Sequence, residues 1–310
     1  MKKTIAFIMS LLLLLAAAAP AAAAADGAPY PDSAFFSYKD YTLHYRVQEA
    51  KNPRGQIMFL HGFAETTHSW ENLTSILTEN GYRCVLVDLP DFGYSSRETK
   101  ETDRLPREEI VHALMTALSD EPWYLAGHSM GGYVALALAQ TWPESVKNLL
   151  LYSTAGNNGI FHLIDPLTHS HTVASGLGPI IEFLGQSRPF VQALLLVATA
   201  EQGFDYGSET EKVRTTFTQK GTGAGIVYYL SCQTDTDYAK VEQMPPLLFM
   251  NGDRDFVCPP LERIPLRQHM PKGSVDYTVK GGGHMFIETR AEETAQVTLA
   301  FLAANPRAGR

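Results

Sequence analysis

The residues best placed to do chemistry form the pentapeptide Gly127-His128-Ser129-Met130-Gly131. A Gly-x-Ser-x-Gly run serves nucleophilic catalysis when it sits on a sharp strand-to-helix turn, because that turn thrusts the serine hydroxyl clear of its surroundings. The sequence provides both flanks: residues 123–126 read as a short buried strand and residues 130–140 as a helix. Gly127 and Gly131 fit the same reading, since side chains there would collide with adjacent elements. A plain glycine-serine loop is the competing reading of the pentapeptide alone, and the flanking strand and helix argue against it.

A serine hydroxyl is a poor nucleophile near neutral pH and needs a base within hydrogen-bond reach. Of the ten histidines, His284 alone follows the last predicted strand (residues 275–279) through a glycine run, and Gly281-Gly282-Gly283 let the backbone carry its imidazole over a sheet edge. A base of this kind requires a carboxylate that fixes its tautomer. Asn251-Gly-Asp253-Arg-Asp255 follows the predicted strand at 246–251, and Asp255 is preferred to Asp253 because Phe256-Val257-Cys258-Pro259 turns it inward. The alternative position, after the predicted strand at 146–152, offers Ser153 to Asn157 and no carboxylate.

A tetrahedral oxyanion needs two N–H donors. The amide of Met130 is one expectation; the amide of Phe63, in His61-Gly62-Phe63 directly after a predicted strand, is the other, with both side chains lining an acyl pocket. His128 is expected to pack or hydrogen-bond locally. His162, His169 and His171 read as exposed loop histidines, because no cysteine or acidic cluster completes a metal-ligand spacing around them. No metal or cofactor is expected.

The elements that would position these groups alternate. Residues 41–47 read as a hairpin strand, 56–60 as a buried strand, and 69–80 as a helix with Ser69 as N-cap and Gly81 as its stop. A strand at 82–87 and a helix at 106–118 follow. After the strand at 146–152 the alternation breaks, then resumes with strands at 246–251 and 275–279 and helices at 261–270 and 291–303. This pattern predicts an α/β fold, a mostly parallel, doubly wound sheet with an inserted helical cap. The divisions are a leader at 1–25, core at 26–155 and 241–310, and cap at 156–240, which includes a helix at 189–200. Gly221-Thr-Gly-Ala-Gly imitates a phosphate loop without the strand or spacing one requires, and is read as a flexible turn.

Composition sets the context. Hydrophobic residues make up 45% of the 310, enough for a substantial core. Residues 1–25 have a Lys2-Lys3 head, an apolar run and Ala-x-Ala sites, the pattern of a secretory signal peptide cleaved just before Asp26, which implies export to the periplasm or medium and no lasting membrane anchor. Removing those two of 25 basic residues, against 33 acidic ones, moves the net charge from −8 to −10. With no basic stretch, nucleic acid is not an expected partner. Three cysteines leave an odd thiol: Cys84 reads as a buried hydrophobe, and Cys232 with Cys258 as a pairing the sequence leaves open.

Taken together, His61-Gly62-Phe63, Asp88-Leu-Pro-Asp-Phe-Gly93-Tyr-Ser95, Gly127-His-Ser129-Met-Gly-Gly132, Gly252-Asp-Arg-Asp255 and Gly283-His284 with Glu288 four residues on resemble the α/β-hydrolase superfamily along nearly all of residues 26–310. The resemblance implies a serine hydrolase, esterase- or lipase-like, with Ser129, Asp255 and His284 as its triad. The segment from Asp88 to Ser95 would shape the pocket without entering the chemistry. Ser129 in place of an aspartate disfavours the epoxide and alkyl-halide branches. The chain is also similar to carbon–carbon bond hydrolases, which commonly carry an aromatic residue where Met285 follows the base, and to proline iminopeptidase-like members, which typically carry Trp at the position of Met130. Ser-Met-Gly-Gly occurs in cofactor-free perhydrolases as well. The expected substrate is a small-molecule carboxylic ester, thioester or lactone; a ligand-binding protein without turnover is the reading from a different class.

Overall fold

The computed structural model describes residues 28–98, 104–154, 171–199, 204–231 and 235–306. Eight strands form one sheet: β1 (Ser33–Tyr38), β2 (Tyr41–Gln48), β3 (Gly55–Leu60), β4 (Tyr82–Val87), β5 (Trp123–His128), β6 (Val146–Tyr152), β7 (Leu248–Gly252) and β8 (Val275–Val279). Their spatial order is β1-β2-β4-β3-β5-β6-β7-β8. The first two strands run antiparallel, and the six from β4 to β8 are parallel.

Alternation along each strand explains the two covered faces. In β3, Met58 and Leu60 pack with Val85, Val87, Ile110, Leu114 and Leu138 on one side. Ile57 and Phe59 pack with Leu86, Trp70, Leu73, Leu77 and Phe301 on the other. Helices α1 (Glu71–Glu79) and α11 (Ala291–Ala304) therefore cover one face; α2 (Arg107–Leu118) and α3 (Met130–Thr141) cover the opposite one. Each fully buried Leu, Ile or Phe contributes roughly 1.5–3 kcal/mol relative to exposure. The sheet is held by its continuous apolar strands.

Between β6 and β7 lie α4 (His171–Gln186), α5 (Arg188–Thr199), α6 (Tyr206–Phe217), α7 (Thr222–Ser231) and the short α8 (Tyr238–Val241). After β7 come α9 (Pro260–Gln268) and, after β8, α10 (Phe286–Thr289). Among the described residues, no helix is long and apolar enough to cross a membrane.

Several local expectations need correction. Strand β1 escaped sequence reading because it is a sheet edge, with only Ser33 buried and Phe35 facing outward. The helix expected from Ser69 is preceded by a 3-10 turn at Thr67–Trp70, so the cap is Thr66, whose hydroxyl accepts the His68 amide. Gly221 does begin with positive φ, but the residues after it open α7 and are no flexible turn. Their glycines permit close packing: a Cβ on Gly223 would lie 2.0 Å from the Gly178 carbonyl of α4, and one on Gly225 2.0 Å from Asp91 Oδ1. The leader, Cys232, Phe161, Leu163, His162 and His169 lie outside the described residues, as does the His171 side chain.

Candidate active site

The loop between β5 and α3 holds Ser129 at φ 48°, ψ −115°, a conformation L-residues seldom adopt. Such a residue costs roughly 1–3 kcal/mol and persists only where its surroundings impose it. Here the Ser129 amide donates to the Tyr152 carbonyl of β6 (2.9 Å), and the Ser129 carbonyl accepts the Gly132 amide (3.0 Å). The glycines make this turn possible. A Cβ on Gly127 would lie 2.4 Å from the Gly131 carbonyl oxygen, and one on Gly131 2.1 Å from that of Leu60.

His284 is buried on the loop after β8, with Nδ1 3.1 Å from Asp255 Oδ1. The same Asp255 oxygen accepts the amides of Val257 (3.0 Å) and Cys258 (2.9 Å), which fixes the carboxylate at the entrance to α9. Arg263 Nη2 stands 3.1 Å from its other oxygen. Burial pushes the Asp255 carboxyl up, but the His284 hydrogen bond, the Cys258 amide and Arg263 outweigh it, and the group stays below the usual carboxylate range. For His284 burial dominates and the pKa falls, with Asp255 opposing and His128 reinforcing the fall. Asp253 is exposed and accepts the Gly281 amide at 2.7 Å, so it stabilises the loop without approaching the imidazole.

Ser129 and His284 line one cavity of about 500 Å³, with Asp255 behind the histidine. They are not hydrogen-bonded to each other in this structure; in the absence of substrate such contacts are often long. The walls are mainly apolar and come from α4, α5 and α6: Ile181, Leu184, Val191, Leu195, Val213 and Phe217 among them. Of the apolar cap residues singled out by sequence, Ile181 and Leu184 face the cavity, whereas Ile180 and Phe183 are exposed on the outside of α4.

Phe63 also lines the cavity, but the Met130 side chain does not: it is buried in the core beneath α3. Among the described residues neither the Phe63 nor the Met130 amide has a hydrogen-bond acceptor. The direction of the Phe63 amide follows from its peptide plane. The Gly62 carbonyl accepts His61 Nδ1–H (2.7 Å) and the Glu65 amide (3.3 Å), while His61 Nε2 accepts the Leu89 amide (3.0 Å). A planar trans peptide aims the Phe63 N–H opposite to that carbonyl.

The segment from Asp88 to Ser95 contributes no cavity wall, contrary to expectation. Buried Asp88 instead ties loops together, accepting the amides of Thr67 (2.7 Å) and Tyr94 (2.9 Å) and contacting His44 Nδ1 (2.7 Å).

The largest departure concerns His128. Its contacts are distant in sequence: Nδ1 lies 2.8 Å from Glu65 Oε1 and Nε2 2.9 Å from the His284 carbonyl. Glu65 itself was not singled out by sequence reading; the available signal was an acid three residues past Gly62, in a loop that must fold back under the strand ends.

Eight strands in this order, a serine at positive φ after β5 and a histidine–aspartate pair from the loops after β8 and β7 agree with a family match. Residues 56–174 fit the α/β-hydrolase fold model. The chain has the α/β-hydrolase fold. Among curated proteins it is similar to a 2-hydroxy-6-oxononadienedioate/2-hydroxy-6-oxononatrienedioate hydrolase of Klebsiella pneumoniae, 28% identical over 130 residues that cover 41% of this chain and 44% of that protein. The match thus spans less than half of that relative's length. The chain also shares its fold with a bacterial membrane phospholipase A (TM-score 0.68, 21% identity, 98% of this chain and 91% of the other). An esterase of Thermogutta terrifontis is similar as well (TM-score 0.67, 18% identity, 86% and 95%).

Proposed function

We propose that this protein is a serine hydrolase that cleaves a small or medium uncharged carboxylic ester, thioester or lactone through an acyl-enzyme. The observation that carries this reading is Ser129 at its positive-φ turn, sharing an apolar cavity with a buried His284 that is bound to Asp255. His284 Nε2 removes the Ser129 proton as Oγ adds to the substrate carbonyl. The amides of Phe63 and Met130 receive the oxyanion. Collapse of the tetrahedral adduct breaks the bond to the leaving group, which takes the proton from His284. Water then adds to the acyl-enzyme by the same route and releases the acid. Asp255 keeps the Nδ1 proton in place and stabilises the transient imidazolium.

Two features support an uncharged acyl group over a dicarboxylate such as the one in the Klebsiella relative's name. The cavity wall is mainly apolar, and Lys212, a cation on its lining, is already paired with Glu209. Burying a carboxylate there without a partner would be strongly unfavourable. Export by the leader at 1–25 is part of the same proposal; sequencing the amino terminus of periplasmic or secreted protein checks it. The activity is tested with a panel of p-nitrophenyl esters and a fluorophosphonate probe. Wild-type hydrolysis and labelling at Ser129, both lost in Ser129→Ala, are the expected results. Ester hydrolysis that survives the substitution unchanged removes the assignment, and a folded wild type that neither hydrolyses nor labels supports a binding protein.

A further inference from the structure

Glu65 and His128 occupy a position that the hydrolytic steps leave unused. Both are buried, and together they touch the loop bearing Phe63, the serine turn and the backbone of His284. One Glu65 oxygen, Oε2, accepts the Gly62 amide at 3.1 Å, immediately before the expected oxyanion donor Phe63. The other, Oε1, lies 2.8 Å from His128 Nδ1. His128 is the residue before Ser129, and its Nε2 is 2.9 Å from the backbone carbonyl of His284. A carbonyl only accepts, so Nε2 carries a proton; Nδ1 faces a carboxylate that is also held by an amide. The two imidazole rings lie 4.7 Å apart between centroids, with Trp70 edge-on to His128 from the other side.

We propose that Glu65 and His128 form a buried ion pair that acts as a positioning clamp, fixing the oxyanion loop, the serine turn and the backbone of His284 relative to one another. The inference rests on the serine-hydrolase reading above. Electrostatics agree with the geometry. Burial would push Glu65 up and His128 down, but each is moved the opposite way by the other. The titratable groups facing the pair are His61, Asp255 and His284, together with Glu288, whose carboxyl is pushed well up by burial and by Glu209 and Glu65. The His128 cation depresses His284 more than the Glu65 carboxylate raises it. The clamp thereby helps keep the base neutral between turnovers.

Glu65→Gln tests this with little change of shape. The side-chain amide it introduces can still accept the Gly62 N–H and can donate to His128 Nδ1, so the hydrogen bonds persist while His128 becomes a neutral Nε2–H tautomer. The substitution removes the His128 cation and the opposing Glu65 carboxylate together, and the cation is the stronger influence on His284, so the acid limb of kcat/KM on a p-nitrophenyl ester should move up. An unchanged or lowered limb in a variant with a wild-type urea midpoint overturns the clamp. Should the variant fail to fold, nitrogen-15 NMR of wild-type His128 decides: both ring nitrogens protonated at pH 7 supports the pair, and a neutral tautomer overturns it. A wild type that hydrolyses no ester and takes no fluorophosphonate label would instead count against the catalytic reading, while the NMR result would still judge the ion pair.

Discussion

Replacing Gly131 by alanine is a one-carbon change whose outcome is set by a single distance. The added Cβ would stand 2.1 Å from the Leu60 carbonyl oxygen and 2.7 Å from that of His61. Both are backbone atoms of β3 and its following loop, so no side chain can swing aside. Separations under 3.0 Å are essentially unknown for Cβ atoms, so the start of α3 and the end of β3 must part by about 0.9 Å. That is the interface between the Ser129 turn and the loop bearing Phe63. A misplacement of about 1 Å in a catalytic constellation can cost about 100-fold in rate, while overpacking costs typically 1–3 kcal/mol of stability. Gly131→Ala should therefore fold, with a lowered urea midpoint, and lose about 100-fold in kcat/KM. The matched control is Gly176→Ala in α4, where the new methyl meets nothing within 4 Å. That variant should keep wild-type activity and gain up to about 1 kcal/mol from helix propensity. Gly131→Ala activity within threefold of wild type would refute the geometric reasoning.

Four further outcomes are expected. Asp255→Asn should lower turnover by about 10⁴-fold, whereas Asp253→Asn should stay within about threefold, since only Asp255 reaches His284; parallel kinetics on the two variants separate the neighbouring acids. In the proposed mechanism His284 works as a base in its neutral form, so activity would rise with pH through its pKa, and because burial lowers that pKa the acid limb of the kcat/KM profile should fall below the ordinary imidazole value of 6.5. Arg107→Met should destabilise the fold by about 3–5 kcal/mol in urea titrations, because it strips the guanidinium from buried Asp91 and Glu98, each 2.6 Å away. Leu184→Ala, which widens the cavity wall from α4, should shift relative kcat/KM towards longer acyl esters by about 10-fold across a p-nitrophenyl series.

Much of the sheet could be read from sequence because most parallel strands are dominated by apolar residues: residues 82–87 and 146–152 match β4 and β6 to the residue, and the alternating Val-Asp-Tyr-Thr-Val of 275–279 matches β8. The edge strand β1 was not read: its one buried position is Ser33, and Phe35 faces outward. Ser129, Asp255 and His284 were legible for a related reason. Each sits at the carboxyl end of a strand, and local glycine spacing marks the turn that presents it. Glu65 and His128 were not, because what gives them a role is their meeting across 63 residues of chain, and pairing at that separation leaves no local pattern. The cap lining fell between these cases: apolar residues in α4 stood out, but only the orientation of that helix separates inward Ile181 and Leu184 from outward Ile180 and Phe183.

The last turn of α5 carries a consequence for how this protein can be re-engineered. The His284 amide donates to the Ala198 carbonyl at 2.9 Å, and Gly283 packs so closely that a Cβ there would fall 1.6 Å from the Thr199 carbonyl oxygen. The insertion thus supplies backbone scaffolding for the loop that presents the imidazole. It cannot be exchanged as an independent module: grafting the helices of another hydrolase in order to alter substrate preference would release the base unless the graft ends α5 in the same register. Cap removal would confound selectivity with catalysis, and point changes on the inward faces of α4 and α6 are the cleaner route to new specificity.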